Sequence, residues 1–176
     1  ELAKDLAEVS GFDAACLLPA AGAHGELTAT FMMKAYHVKR GNTAKNVILI
    51  PDTAHGTNPA SAAMTGFKCK NISSGPDGYL RLEDVLPHLD DTVAGIMITN
   101  PNTCGIYERD LRRIADALHD KDALLYMDGA NFNAVMGIFQ PGKLGVDVMH
   151  FNLHKTFTTP HGGGGPGSGP IGYVSK

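Results

Sequence analysis

Lys155 stands in the segment NLHKTFTTPHGGGG (152–165), just past the apolar run DVMHFN (147–152) and beside His154. On composition alone a lysine is most often a solvated surface charge. At the exit of a buried strand, desolvation lowers its pKa, and it can then condense with a carbonyl, above all that of pyridoxal phosphate. That chemistry requires a carboxylate that keeps the pyridine nitrogen protonated, so that the ring can accept electrons. Asp128 closes the apolar run ALLYMD (123–128) and has the right type for the task, although an Asp at a strand end is also a common sheet cap or metal ligand. Two neighbouring strand ends would present Asp128 and Lys155 to one ring.

An anion cradle is the third requirement. The stretch AAGAHGEL (20–27) leads small residues into a helix start, where free backbone N–H groups and the helix dipole favour a phosphate. Neither GxxxxGK[ST] nor GxGxxG at a strand–helix junction occurs, which disfavours nucleotide and dinucleotide folds. His55, in the loop DTAHGTNPA (52–60) with Thr53 and Thr57, can stack on a planar ring or simply bond its own turn. His150 and His154 are four apart but fall on a strand and its exit, and HExxH is absent, so no metal site is expected.

Positioning such groups takes strands whose ends meet at one edge. Apolar periodicity predicts helices over 1–10 (Leu2, Leu6 and Val9 inward, Gly11 as C-cap) and about 25–39 (Leu27, Phe31, Met32 and Ala35 on one side). Further helices are predicted over 59–65, with Asn58 as N-cap and Pro59 in the first turn, around 81–89, and over 108–120. Strands are expected at 46–50, 68–72, 92–99, 123–128, 147–152 and 170–174. The alternation predicts an α/β fold, a mostly parallel sheet with helices on both faces, in one domain over 1–176. Ligands in such sheets gather at the carboxyl ends of the strands. There lie the polar loops 52–60, TNPNTCG (99–105), DGAN (128–131) and 152–165.

Of the 176 residues 21 are glycine, and seven of these crowd into HGGGGPGSGPIG (161–172), without the period of collagen. A hydrophobic share of 43% with 19% charge excludes a disordered chain. The net charge of −3, without a basic stripe, argues against nucleic acid as a partner. The longest apolar runs, VILI (47–50) and AGIMI (94–98), are far too short to span a membrane, and the N-terminal stretch is no signal peptide. Three separated cysteines, at 16, 69 and 104, point to a reduced, cytoplasmic protein.

The motifs DTAHGTNPASA, TNPNTCGIYE, MDGANFNAVMG and NLHKTFTTPHGGGGPGSGPIG closely resemble the glycine decarboxylase (P-protein) family of the glycine cleavage system, in its lysine-bearing subunit 2 form. The resemblance covers essentially the whole chain. It implies the large-domain portion of a fold type I (aspartate aminotransferase-like) pyridoxal 5′-phosphate enzyme. It makes Lys155 the Schiff-base lysine, Asp128 the partner of the pyridine nitrogen and His55 the ring-stacking group. By the same resemblance Asn152 and His154 contact the phosphate, Gly22, Ala23 and His24 supply its turn, and Asn100 or Asn102 faces the ring hydroxyl. The implied reaction is decarboxylation of glycine, with the aminomethyl group passing to the lipoyl arm of the H-protein. Loop 161–169 would line the channel for that arm. The implied partner is the P-protein subunit 1, in a heterotetramer. Against the family pattern the chain is short. The C-terminal small domain is expected to be absent and the isolated chain inactive or nearly so, with Arg81, Arg109, Arg112 and Arg113 on surface helices rather than at a carboxylate. Another fold type I lyase or aminotransferase, and a non-catalytic scaffold subunit, are the rival readings.

Overall fold

The fold is described from a computed structural model, over residues 1–160 and 167–176. Most of the glycine run expected to line a channel therefore lies outside the described residues. Seven strands form one sheet in the order β1-β7-β6-β5-β4-β2-β3. They are β1 (Ala14–Cys16), β2 (Val47–Pro51), β3 (Lys68–Ile72), β4 (Val93–Thr99), β5 (Leu124–Gly129), β6 (Val148–Phe151) and β7 (Ile171–Tyr173). The five strands from β3 to β6 pair in parallel, and β7 runs antiparallel to both β6 and β1. Each residue of β4 and β5 is buried, as expected of parallel strands covered on both faces.

Period-two alternation divides the core. Leu49, Ile96, Ile98, Leu125, Met127 and Met149 pack on one face with Leu111, Ile114 and Leu118 of helix α5 (Leu111–Asp120). Ile48, Ile50, Met97, Leu124, Tyr126 and Val148 point the other way, onto Ala29 and Met33 of helix α2 (Gly22–Lys39) and Ala62 of helix α3 (Thr57–Met64). Helix α1 (Leu2–Ser10) ends as predicted, with Gly11 in the left-handed region at φ 73°. The short helices α4 (Leu82–Val85) and α6 (Leu153–Thr156) complete the order. Among the described residues no helix is long and apolar enough to cross a membrane.

Several expectations are corrected. Helix α2 starts at Gly22, three residues early, because small residues let its first turn lie against β6. Its buried stripe is Gly25, Glu26, Ala29, Thr30, Met33 and His37, whereas Phe31 is 55% exposed and Ala35 also faces out. Counting the largest apolar residues chose the wrong face, since close packing here selects small ones. Helix α3 begins at Thr57, so Asn58 and Pro59 lie inside its first turn and Gly56 takes the N-cap position. Arg81 caps α4 and Arg109 lies in the turn before α5, so of the four arginines only Arg112 and Arg113 ride on a helix. Strand β1, three residues long and paired only to β7, carries too little pattern to be expected.

Candidate active site

Strand parity decides which side chains meet. Asp128 shares a face with Tyr126, and His150, its register partner on β6, shares that face with Val148. Both therefore point to the α2 side. There the first turn of α2 crosses the end of β6 so closely that a Cβ at Gly22 would strike Asn152 Nδ2. One turn along the same helix, Glu26 faces the two strand ends. The carboxylates of Glu26 and Asp128 and the imidazole of His150 all lie within 4.8 Å of one another, and none is more than 3% exposed.

A cleft of about 150 Å³ opens above this cluster, bounded by Gly22, Ala23, His55, Asp128, Asn152 and Lys155 among others. Wider surface depressions of about 450–590 Å³ occur elsewhere, but none of them touches Asp128 or Lys155. Lys155 sits in α6, exposed at the mouth of the cleft. The backbone N–H of Ala130 donates to Asp128 Oδ1 at 2.9 Å and fixes the carboxylate.

His150 is held on both sides. Its Nδ1 lies 2.6 Å from the Tyr126 hydroxyl, and its Nε2 lies 3.0 Å from Asn152 Oδ1 and 3.5 Å from Asp128 Oδ1. Two oxygens face Nε2, so the proton belongs there, and the Tyr126 O–H donates to Nδ1. Burial lowers the His150 pKa and keeps the ring neutral, against the opposing pull of Asp128. Burial likewise pushes the Tyr126 phenol well above its ordinary range, so it stays a donor.

Glu26 differs from an ordinary glutamate. Burial first, and the Asp128 charge second, push its carboxyl up to about 7, while Thr57 and Lys155 pull the other way. The Thr57 hydroxyl stands 2.8 and 2.7 Å from its two oxygens and 2.7 Å from His55 Nδ1. The backbone N–H of His55 donates to Thr99 Oγ1 at 3.1 Å, tying the loop after β2 to the end of β4.

The two candidate asparagines separate clearly. Asn102 donates to Gly78 O (2.9 Å) and Glu108 Oε1 (2.8 Å) and accepts from the Cys104 and Ile106 N–H groups, so its amide holds the loop after β4. Asn100 accepts from Glu108 N–H at 3.0 Å, but its buried Nδ2 has no partner among the described residues. His24 is exposed and does not border the cleft. His154, half-buried in α6, does not border the cleft, and the Ser168 N–H reaches its Nδ1 at 3.4 Å. The structure thus brings Lys155, Asp128, His55, Asn152, Gly22 and Ala23 together and leaves His24, His154, Asn100 and Asn102 outside the lining of the cleft.

Sequence reasoning passed over Glu26, Tyr126 and His150 as members of the site. A lone acid at i+4 from Gly22, on a helix face of glycine and alanine, was the available signal.

A parallel sheet clad on both faces, with a lysine, a carboxylate and a helix N-terminus at its carboxyl edge, defines the architecture of the fold type I pyridoxal phosphate enzymes. A sphingosine-1-phosphate lyase of Burkholderia pseudomallei K96243 superposes over 92% of this chain and 38% of its own, with TM-score 0.74 at 18% identity. DndA of Streptomyces lividans does so over 92% and 43%, with TM-score 0.70 at 18% identity. A profile of the aminotransferase class-V family matches residues 26–164, and the chain belongs to that family. It is 62% identical, over its whole length, to a probable glycine dehydrogenase (decarboxylating) subunit 2 of Aquifex aeolicus (strain VF5). It is 56% identical, over 98% of its length, to the protein of the same name from Alkaliphilus oremlandii (strain OhILAs). The chain spans about a third of these relatives, 36% and 35% of their lengths.

Proposed function

We propose that this chain carries the cofactor-binding part of a pyridoxal phosphate-dependent glycine decarboxylase of the glycine cleavage system. In the full-length protein glycine would lose its carboxylate as carbon dioxide, and the aminomethyl group would pass to the lipoyl arm of an H-protein, with a subunit 1 as partner. The observation that carries the reading is the meeting of Lys155, Asp128 and His55 at one cleft, in a chain 62% identical to a probable glycine dehydrogenase (decarboxylating) subunit 2.

The donor set fits the cofactor. The first turn of α2, Gly22 and Ala23 with the backbone of His24, offers N–H groups and a positive dipole end to a phosphate. Asn152, seated against Gly22, adds an amide on the same side. Asp128 presents a buried carboxylate to a ring nitrogen and holds a proton there, oriented by the Ala130 N–H. His55, which borders the cleft from the loop after β2, would cover the ring. Asn100, whose Nδ2 is unpartnered, and Asn102, whose amide bonds its own loop, both lie off the lining of the cleft, so neither is assigned to a ring hydroxyl. Lys155, at the mouth, would hold the cofactor covalently through Nζ. When bound, pyridoxal phosphate supplies the electron sink for the pair left as carbon dioxide departs.

The test is spectroscopic. Adding pyridoxal phosphate to the chain should give a visible absorbance band that Lys155→Ala abolishes. No band in the wild-type chain, or a band that survives in the variant, overturns the assignment. Exchange of bicarbonate into glycine by the full-length protein with its H-protein then tests the reaction itself.

A further inference from the structure

We propose that Glu26, acting through the Thr57 hydroxyl, sets which ring nitrogen of His55 carries the proton. Thr57 Oγ1 lies between two groups, 2.7–2.8 Å from the Glu26 oxygens and 2.7 Å from His55 Nδ1. A hydroxyl has a single proton to donate. With Glu26 ionised, the carboxylate takes that proton, and Oγ1 can then only accept, which places the imidazole proton on Nδ1. With Glu26 protonated, its O–H donates to Oγ1 and the Thr57 proton turns to Nδ1, which places the imidazole proton on Nε2. The Thr57 backbone N–H, 3.3 Å from Nδ1, supports this second arrangement.

Crossing between the two states releases one proton from Glu26 to solvent, and the exposed imidazole exchanges its own proton from one nitrogen to the other with water. Glu26 has the burial for such a role, at 3% exposure. Its ionisation falls near neutral pH because of burial and the charge on Asp128 of β5, opposed by Thr57 of α3 and Lys155 of α6. His150 of β6 and the phenol of Tyr126 are the other titratable groups facing it, and both stay uncharged. Glu26 is on this account a positioning residue. It decides whether His55 presents a donor or an acceptor at Nε2, the nitrogen away from the relay.

The relay belongs to the protein without cofactor. It rests on the functional reading only for its consequence, the polarity that His55 shows to a bound ring. ¹⁵N NMR of His55 in the cofactor-free chain reads the tautomer directly. At pH 8.5 the wild type should carry its proton on Nδ1, and Glu26→Met, which offers Thr57 no acceptor, should move it to Nε2. In Thr57→Val the tautomer should no longer follow pH through neutrality, and the amide spectrum of each variant reports that the fold is intact. An identical His55 tautomer in wild type and Glu26→Met at pH 8.5 overturns the relay. Loss of the visible cofactor band with the tautomer shift intact would refute the functional reading alone.

Discussion

Replacing Glu26 by Gln removes a buried ionisation, and its effect on stability has a defined size and pH window. The carboxyl titrates in the folded chain at about 7, against an ordinary 4.5. Between these two values the folded state holds the proton more tightly than the unfolded state, so stability falls as pH rises through the window. The contribution is fully present below pH 4.5 and gone above about 7. At 1.36 kcal/mol per pH unit this amounts to about 3 kcal/mol. Glu26→Gln escapes that loss, because glutamine carries no charge into the cleft. The variant should match the wild type near pH 4.5 and exceed it by about 3 kcal/mol at pH 8. Urea titrations at pH 4.5, 6, 7 and 8 measure the gap. With a slope of about 2 kcal/mol/M the midpoints should separate by about 1.5 M at the alkaline end. Titrating groups that do not face Glu26 are common to both proteins and cancel in the difference. Asp128→Asn, which removes the second cause of the shift, should narrow the gap. A gap independent of pH, or one that widens toward acid, would refute the reasoning.

Gly25→Ala should lower the urea midpoint by the equivalent of about 1–3 kcal/mol, despite the better helix propensity of alanine. Its Cβ would stand 2.7 Å from Gly169 O and 2.8 Å from His150 Cβ, forcing α2 off β6. An unchanged or raised midpoint contradicts this packing. Asn102→Ala strips hydrogen bonds from the loop after β4 and leaves Glu108 short of a donor, for a loss of about 3 kcal/mol by the same assay. Tyr126→Phe deprives His150 Nδ1 of its partner in a buried site and should cost about 1–2 kcal/mol at pH 8. A neutral effect would mean that water reaches that nitrogen.

The fold was legible because its strands are continuous apolar runs and the elements alternate. Strand β3 matches its expected bounds, and in the helix expected over 108–120 Leu111, Ile114, Ala115 and Leu118, at i, i+3, i+4 and i+7, are all buried. The wrong face of α2 has a physical cause. Its close approach to β6 favours glycine and alanine, whereas hydropathy gives weight to Phe31 and Met32. Within the candidate site, the pair Lys155 and Asp128 could be read from strand ends, and the structure brings both to one cleft. Glu26 offered only its place on a face of small residues and Tyr126 no signal, because an acid inside a helix and a tyrosine inside a strand look like many others until the register across β5 and β6 is known. The loop bonds of Asn102 and the unpartnered Nδ2 of Asn100 likewise became visible only with the hydrogen bonds of that loop.

The antiparallel pairing of β6 and β7 also bears on how the chain between them can vary. The Phe151 N–H donates to Pro170 O at 2.8 Å, so residues 152–169, Lys155 included, form an excursion whose two feet are clamped together on the sheet. Closing such a loop costs an entropy that grows only with the logarithm of its length, and two extra residues would add about 0.1 kcal/mol. Closure entropy by itself therefore sets almost no limit on the length of this excursion. The Phe151–Pro170 bond and the Leu153 N–H, 3.4 Å from Ser168 O, tie both feet to the sheet edge, so the entry of Lys155 into the cleft is set at those feet and not by the length between them.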